Sequence, residues 1–323
     1  MNERVSRRDV LAGAGLGVAA GLALGGEGTP ARAVGKPRKG LPFRYCLNTS
    51  TLRGHNLSLP QEIEIAAQAG YDALEPWIGE IDAYVKGGGS LVELRRRIRD
   101  HGLTVESAIG FFEWIVDDES RRARGLEEAR RNMDLVRQIG GLRLAAPPVG
   151  ATDRSDIDLN RAAARYRALL DLGEKMGVVP QAEVWGFSRT LGTLAEAAHV
   201  AIGSGHPEAC VLPDVYHLYK GGSPIRGVKL LSASALHVLH VNDYPAEPPR
   251  EKISDADRVY PGDGIAPLDA LFRDLREIGY EGVLSLELFN RDYWKQDALT
   301  VARTGLEKTR AVVRRALASR PRE

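Results

Sequence analysis

From Pro42 onward the chain alternates two hydrophobic patterns. Short runs, apolar at nearly every position, predict strands: "FRYCLNTS", "YDALEP", "LTVESAIG", "LRLAAPP", "VVPQAEVW", "EACVLPDV", "LHVLHVND" and "EGVLSLELF". Between them lie longer stretches in which apolar residues recur every third or fourth position, the spacing of one helix face. "SLVELRRRIRDHG" puts Leu91, Leu94 and Ile98 on one side, and "PLDALFRDLREIG" does the same with Leu268, Leu271, Leu275 and Ile278. "LPQEIEIAAQAG" is a helix closed by Gly70. Further helices are expected in "ESRRARGLEEARRNMDLVRQIG", "LNRAAARYRALLDLGEKMG", "TLGTLAEAAHVAIG" and "DALTVARTGLEKTRAVVRRAL", with a short one inside "IRGVKLLSA". Strands apolar on both faces need cover on both faces, which implies a parallel sheet wrapped by helices. Eight strand–helix units, each near the ~30-residue scale of a βαβ element, point to an α/β fold, a closed (β/α)8 TIM barrel over residues 42–318. The Gly-rich dinucleotide fingerprint is missing after the first strand, so no nucleotide cofactor is expected.

The N-terminus departs from this alternation. Arg7 and Arg8 precede an uncharged Gly/Ala/Leu run from Val10 to Gly26, and "ARA" (Ala31–Ala33) follows. A charged region, an apolar region and small residues before a cleavage point form an export signal. The SRR-x-x-L form resembles a twin-arginine signal, although Val10 stands where Phe is usual and Ala12 where Lys is common. The run is shorter than the ~20 apolar residues of a spanning helix. We therefore expect a signal peptide over 1–33, a polar linker over 34–41, a short tail over 319–323, and a periplasmic or extracellular protein with no stable membrane anchor after cleavage.

Charge removes one class of partner. The chain has 44 Lys and Arg against 43 Asp and Glu, a formal net charge of +1. Nucleic-acid binding leaves a basic excess or stripe, so no nucleic acid is expected. Cys46 and Cys210 each lie inside an apolar run. Two cysteines in a chain of 323 residues are no disulfide framework and read as buried thiols.

Candidate chemistry lies at the strand ends, where barrels of this kind place their active sites. The fifth strand ends with Glu183, the sixth with Asp214, the seventh with His240 and the eighth with Glu287. Charged residues seldom interrupt apolar strands unless paired or ligating. Three carboxylates aimed into one barrel mouth repel one another, and a divalent cation removes that cost. Three oxygen donors and one imidazole suit Mn²⁺ or Mg²⁺, with Co²⁺ and Zn²⁺ as alternatives; one Mn²⁺ per chain is the expectation. His237 and His240 differ in strand parity, so only one faces inward. Glu75 and Glu106, on early strands, are either substrate contacts or cap and surface residues. Trp77, Trp114 and Trp185 fall near strand ends, where they either stack on a sugar ring or pack the core and rim.

The segments "AEVWGFSRTLGTLAEAAHV", "LPDVYHLYKGGS", "HVLHVNDYPA", "DRVYPGDG" and "GYEGVLSLELFN" resemble the sugar phosphate isomerase/epimerase family, the xylose-isomerase-like barrel that also holds ketose 3-epimerases, inosose dehydratases and endonuclease IV. The resemblance implies metal ligation by Glu183, Asp214, His240 and Glu287, with Glu183 and Glu287 also the catalytic acid/base pair. It implies that His217 and Arg258 bind substrate, a small sugar or keto-sugar, and that the Pro-rich segment 244–264 reaches over the site. A metal-dependent isomerase or epimerase working through an enediolate follows, with a keto-sugar or inosose-type dehydratase (lyase) and a non-catalytic sugar-binding barrel as alternatives. A homo-oligomer is implied as well. Endonuclease IV chemistry is disfavoured, since it needs more His ligands on early strands, where only His55 and His101 stand nearby.

Overall fold

The structure, a computed structural model, describes residues 43–318; the expected signal, linker and tail lie outside the described residues. Eight strands run β1 Arg44–Asn48, β2 Ala73–Glu75, β3 Thr104–Val105, β4 Arg143–Ala146, β5 Val179–Glu183, β6 Val211–Leu212, β7 Val238–Val241 and β8 Val283–Leu286. Nine α-helices accompany them among the described residues: α1 Leu59–Ala69, α2 Ile78–Lys86, α3 Leu91–Asp100, α4 Glu119–Gln138, α5 Leu159–Met176, α6 Leu194–Ser204, α7 Val215–Lys220, α8 Leu268–Glu277 and α9 Ala298–Ala318. All ladder pairs are parallel, in the orders β3-β2-β1-β8-β7 and β4-β5-β6. Single contacts close the two arcs into a barrel. Ala108 N donates to Arg143 O at 3.1 Å, Ala145 N donates to Ala108 O at 2.9 Å, and His240 N donates to Pro213 O at 3.0 Å. Pro213 has no N–H, which is why the β6 ladder stops early.

The expected helix stripes are the buried faces. Leu94 and Ile98 on α3, and Leu268, Leu271 and Leu275 on α8, are buried against the barrel's outer wall. Inside, a small apolar plug of Cys46, Ala73, Ala145, Leu212, Val238 and Val283 fills the barrel. Deeper, Arg44 Nη1 lies 2.6 Å from Glu106 Oε1 and Arg143 Nη1 3.6 Å from Glu106 Oε2. Glu106 is therefore neither a cap nor a substrate contact but the shared carboxylate of a buried ion network. Both cysteines are buried and free.

Two helices escape the sequence pattern because they are short. In α2 only Ile78 and Ile81 are buried, and Glu80 Oε2 accepts from Trp77 N at 2.9 Å to cap its first turn. The six-residue α7 is capped by Asp214, whose Oδ1 accepts from His217 N at 2.8 Å. His217 thus stands in a helical first turn rather than in a loop. The short helix expected near Ile225 is a 3₁₀ segment, Ile225–Leu230. No helix among the described residues is long and apolar enough to cross a membrane.

Candidate metal centre

Alternation along each strand decides what reaches the barrel mouth. On β5, β7 and β8 the inward positions end in Glu183, His240 and Glu287, and Asp214 follows β6 by two residues. His240 is the hub. Its Nδ1 lies 3.3 Å from Glu287 Oε2, 3.7 Å from Asp214 Oδ2 and 3.8 Å from Glu183 Oε1. Atoms of Asp214, His240 and Glu287 all lie within 4.8 Å of one another, and all four residues are buried. His237, just before β7, is partly exposed.

The second nitrogen of His240 explains the orientation of the first. His240 Nε2 pairs with Glu75 Oε2 at 3.0 Å. That oxygen also accepts from Ser285 Oγ at 2.6 Å and Asn48 Nδ2 at 3.0 Å. A carboxylate behind an imidazole fixes the ring and leaves its other nitrogen to coordinate. His240 Nδ1 and Glu183 Oε2 indeed have no hydrogen-bond partner although buried. Buried polar atoms without partners are costly, and here both belong to good ligands facing one point. Asp214, His240 and Glu287 thus fit a divalent cation, with Glu183 Oε1 beside them, 3.8 Å from His240 Nδ1.

Arg258 supplies positive charge to the same group. Its Nη1 donates to Asp214 Oδ2 and Glu287 Oε2, both at 2.8 Å, and its Nη2 donates to Asp255 Oδ1 at 2.5 Å. Nη2 also lies 3.2 Å from His217 Nε2. The segment after β7 therefore reaches over the site with Asp255 and Arg258, as the sequence leads one to expect.

These neighbours split the carboxyl groups. Burial, reinforced by the charges of Glu287, Asp214 and Glu75 and only partly offset by His240, pushes Glu183 up to about 8. Burial acts on Glu287 in the same direction, but His240 and Arg258 outweigh it and hold Glu287 down at about 2. Burial also opposes charge on His240, yet Glu287 and Glu75 raise its pKa well above the ordinary imidazole range. His217 is lowered, mainly by burial.

Above the cluster opens a cavity of about 230 Å³, lined by Glu183, Glu287, His217, Arg258 and Asp255 and walled by aromatic rings. The match to a family model described as "Xylose isomerase-like TIM barrel" spans residues 63–312. The chain belongs to this family. Among similar proteins, an inosose isomerase of Bacillus velezensis is 29% identical over 278 residues, covering 84% of this chain and 97% of that protein. A 3-dehydroshikimate dehydratase of Pseudomonas aeruginosa is 26% identical over 240 residues, 72% of this chain and 36% of that protein. A fructoselysine 3-epimerase of Escherichia coli O157:H7 is 24% identical over 273 residues, 80% of this chain and 96% of that protein. The crystal structure of the IOLI protein with a binding zinc atom superposes with a TM-score of 0.78 at 24% identity, covering 85% of this chain and all of that one. The relatives are isomerases, epimerases and dehydratases, and this xylose isomerase-like barrel is an enzyme.

Within the xylose isomerase-like barrel, Glu75 was the residue hardest to read from the sequence. It is fully buried behind His240 and touches neither surface nor cavity. The signal was present, since a carboxylate ending a buried apolar strand needs a partner, but that partner is 165 residues away. Trp77 and Trp185 line the cavity. Trp114 does not: it is buried against Tyr166, and its Nε1 donates to Pro147 O at 2.8 Å. The carboxylate of Asp243 accepts from Tyr244 N, Gly262 N and Ala266 N at 2.8–2.9 Å.

Proposed function

We propose that this enzyme moves a proton next to the carbonyl of a keto-sugar or inosose-type ring, epimerising or isomerising it through an enediolate. The observation that carries this is geometric: Glu183 and Glu287 line one cavity together with His217 and Arg258. One of Glu183 and Glu287 takes the α-proton and the other returns one from its own side of the ring. His217 and Arg258 orient the substrate and offset charge developing on its oxygens. Glu183, Asp214, His240 and Glu287 hold a divalent cation, which when bound supplies Lewis acidity toward the carbonyl. The oxygen-rich donor set favours Mn²⁺, with Mg²⁺, Co²⁺ and Zn²⁺ as alternatives.

Loss of a hydroxyl from the same enediolate is the dehydratase reading, supported by the dehydratase among the relatives. Incubation of the metal-loaded protein with a panel of keto-sugars and inososes in D₂O tests both. Deuterium incorporation at the α-carbon is expected; a lighter, unsaturated product marks dehydration, and no exchange across the panel leaves only sugar binding. Export by a twin-arginine route and assembly into a homo-oligomer remain proposals from the sequence.

A further inference from the structure

The cavity wall is a chain of rings. Phe289 meets Trp77 with centroids 6.0 Å apart, Trp77 meets Phe111 at 5.2 Å, Phe111 meets Trp185 at 6.0 Å, Trp185 meets Phe187 at 5.2 Å, and Phe187 meets the His217 imidazole at 5.6 Å. Arg258 completes the circle, close to His217 on one side and with its guanidinium 5.1 Å from the Phe289 ring on the other. The five phenyl and indole side chains follow β2, β3, β5 and β8, so the collar is assembled by four separate loops rather than by one apolar run.

The collar has two tiers. The cluster residues and Arg258 form a buried floor, whereas Phe111 and Phe187 stand 43% and 47% exposed at the rim. Large apolar rings exposed together at the mouth of a site mark a surface that meets a ligand. The cavity's volume of about 230 Å³ is below the ~300–1,000 Å³ of sites that enclose drug-sized ligands. A two-ring ligand would therefore place one ring on the floor and leave the other against the rim phenylalanines. The guanidinium in the lining, Arg258, is committed to Asp214, Glu287 and Asp255, and Arg53 lies over the Trp77 ring of the collar at 3.7 Å.

We propose that the substrate is a keto-glycoside, its oxidised sugar ring on the floor and an aromatic aglycone stacked on Phe111 and Phe187. This rests on the proton-transfer reading of the floor. The test uses the metal-loaded full chain and matched phenyl and methyl glycosides of glucose, galactose and xylose with one ring hydroxyl oxidised to the ketone, in both anomers, with binding followed by tryptophan fluorescence. For the sugar that binds best, the phenyl member should bind about fivefold or more tightly than the methyl member, the scale of one aromatic stack. In the Phe111→Ala/Phe187→Ala double variant that preference should vanish while methyl glycoside affinity and metal content stay unchanged. Both rings are exposed, so an unchanged melting temperature confirms the variant's fold. Equal affinity of phenyl and methyl members, a preference that survives in the double variant, or binding of neither keto-glycoside would each overturn the proposal. The D₂O exchange on unsubstituted keto-sugars separates the two readings. Exchange without phenyl preference sinks the aglycone site alone, and phenyl preference without exchange sinks the proton-transfer reading alone.

Discussion

Glu75 shows how a residue that touches no substrate can govern one that would hold a metal. Its carboxylate fixes His240 through Nε2 at 3.0 Å, and burial alone would raise its pKa, yet His240, Ser285 and Asn48 keep it lowered and ionised. Glu75→Gln keeps the shape but weakens that anchor. Divalent-cation affinity should fall about 10- to 100-fold, read by competition with a chromogenic chelator. Glu287→Gln addresses the proposed acid/base pair directly. Turnover should drop roughly 10²–10⁴-fold with the circular dichroism spectrum unchanged; near-full activity would remove Glu287 from the mechanism.

Short elements next to the site carry more of its geometry than their length suggests. Helix α7 starts on Asp214, carries His217 and ends at Lys220, whose Nζ donates to the carbonyls of Arg250, Glu251 and Ile253 at 3.1, 3.0 and 2.9 Å. That pin holds the segment delivering Asp255 and Arg258. Lys220→Met should raise KM severalfold with metal content unaltered, measured by steady-state kinetics beside metal analysis. Helices α1 and α2 contribute a pH dependence. Glu62 on α1 is buried and pushed up to about 9, first by burial and then by the charge of Glu80 on α2, against the pull of Arg53. An unfolded glutamate loses its proton near 4.5, so between about 4.5 and 9 the folded state holds an extra proton. Stability must fall as pH rises through that window. Glu62→Gln should flatten this part of the melting-temperature profile from pH 5 to 9; an unchanged slope would contradict the assignment.

At the scale of the molecule, the barrel gathers acidic groups that are far apart in sequence and confines them at one mouth. Without a cation that arrangement strains the fold, since Glu183 must carry a proton and Arg258 must serve two carboxylates. A ligand that binds only the folded state stabilises it by mass action, about 2.7 kcal/mol at a hundredfold excess over Kd. Added Mn²⁺ or Zn²⁺ should therefore raise the melting temperature by about 5 °C or more, and EDTA should reverse the shift. No shift with any divalent ion would count against a metal centre here.

The barrel was legible because periodicity is local. Strands apolar on both faces and helix stripes such as Leu268, Leu271 and Leu275 encode their own burial, and their alternation fixes a parallel closed sheet. The strand-end positions of Glu183, Asp214, His240 and Glu287 were legible for the same reason, since strand parity sets which side chains enter the barrel. What the sequence withheld depends on contacts across the barrel. Glu75 behind His240, Glu106 between Arg44 and Arg143, and the split in proton affinity between Glu183 and Glu287 arise from neighbours tens to hundreds of residues away. Trp77 and Trp114 read alike in the sequence, yet one lines the cavity and the other is buried in the core. Local pattern determined which residues face inward; only the closed barrel decided what each of them meets there.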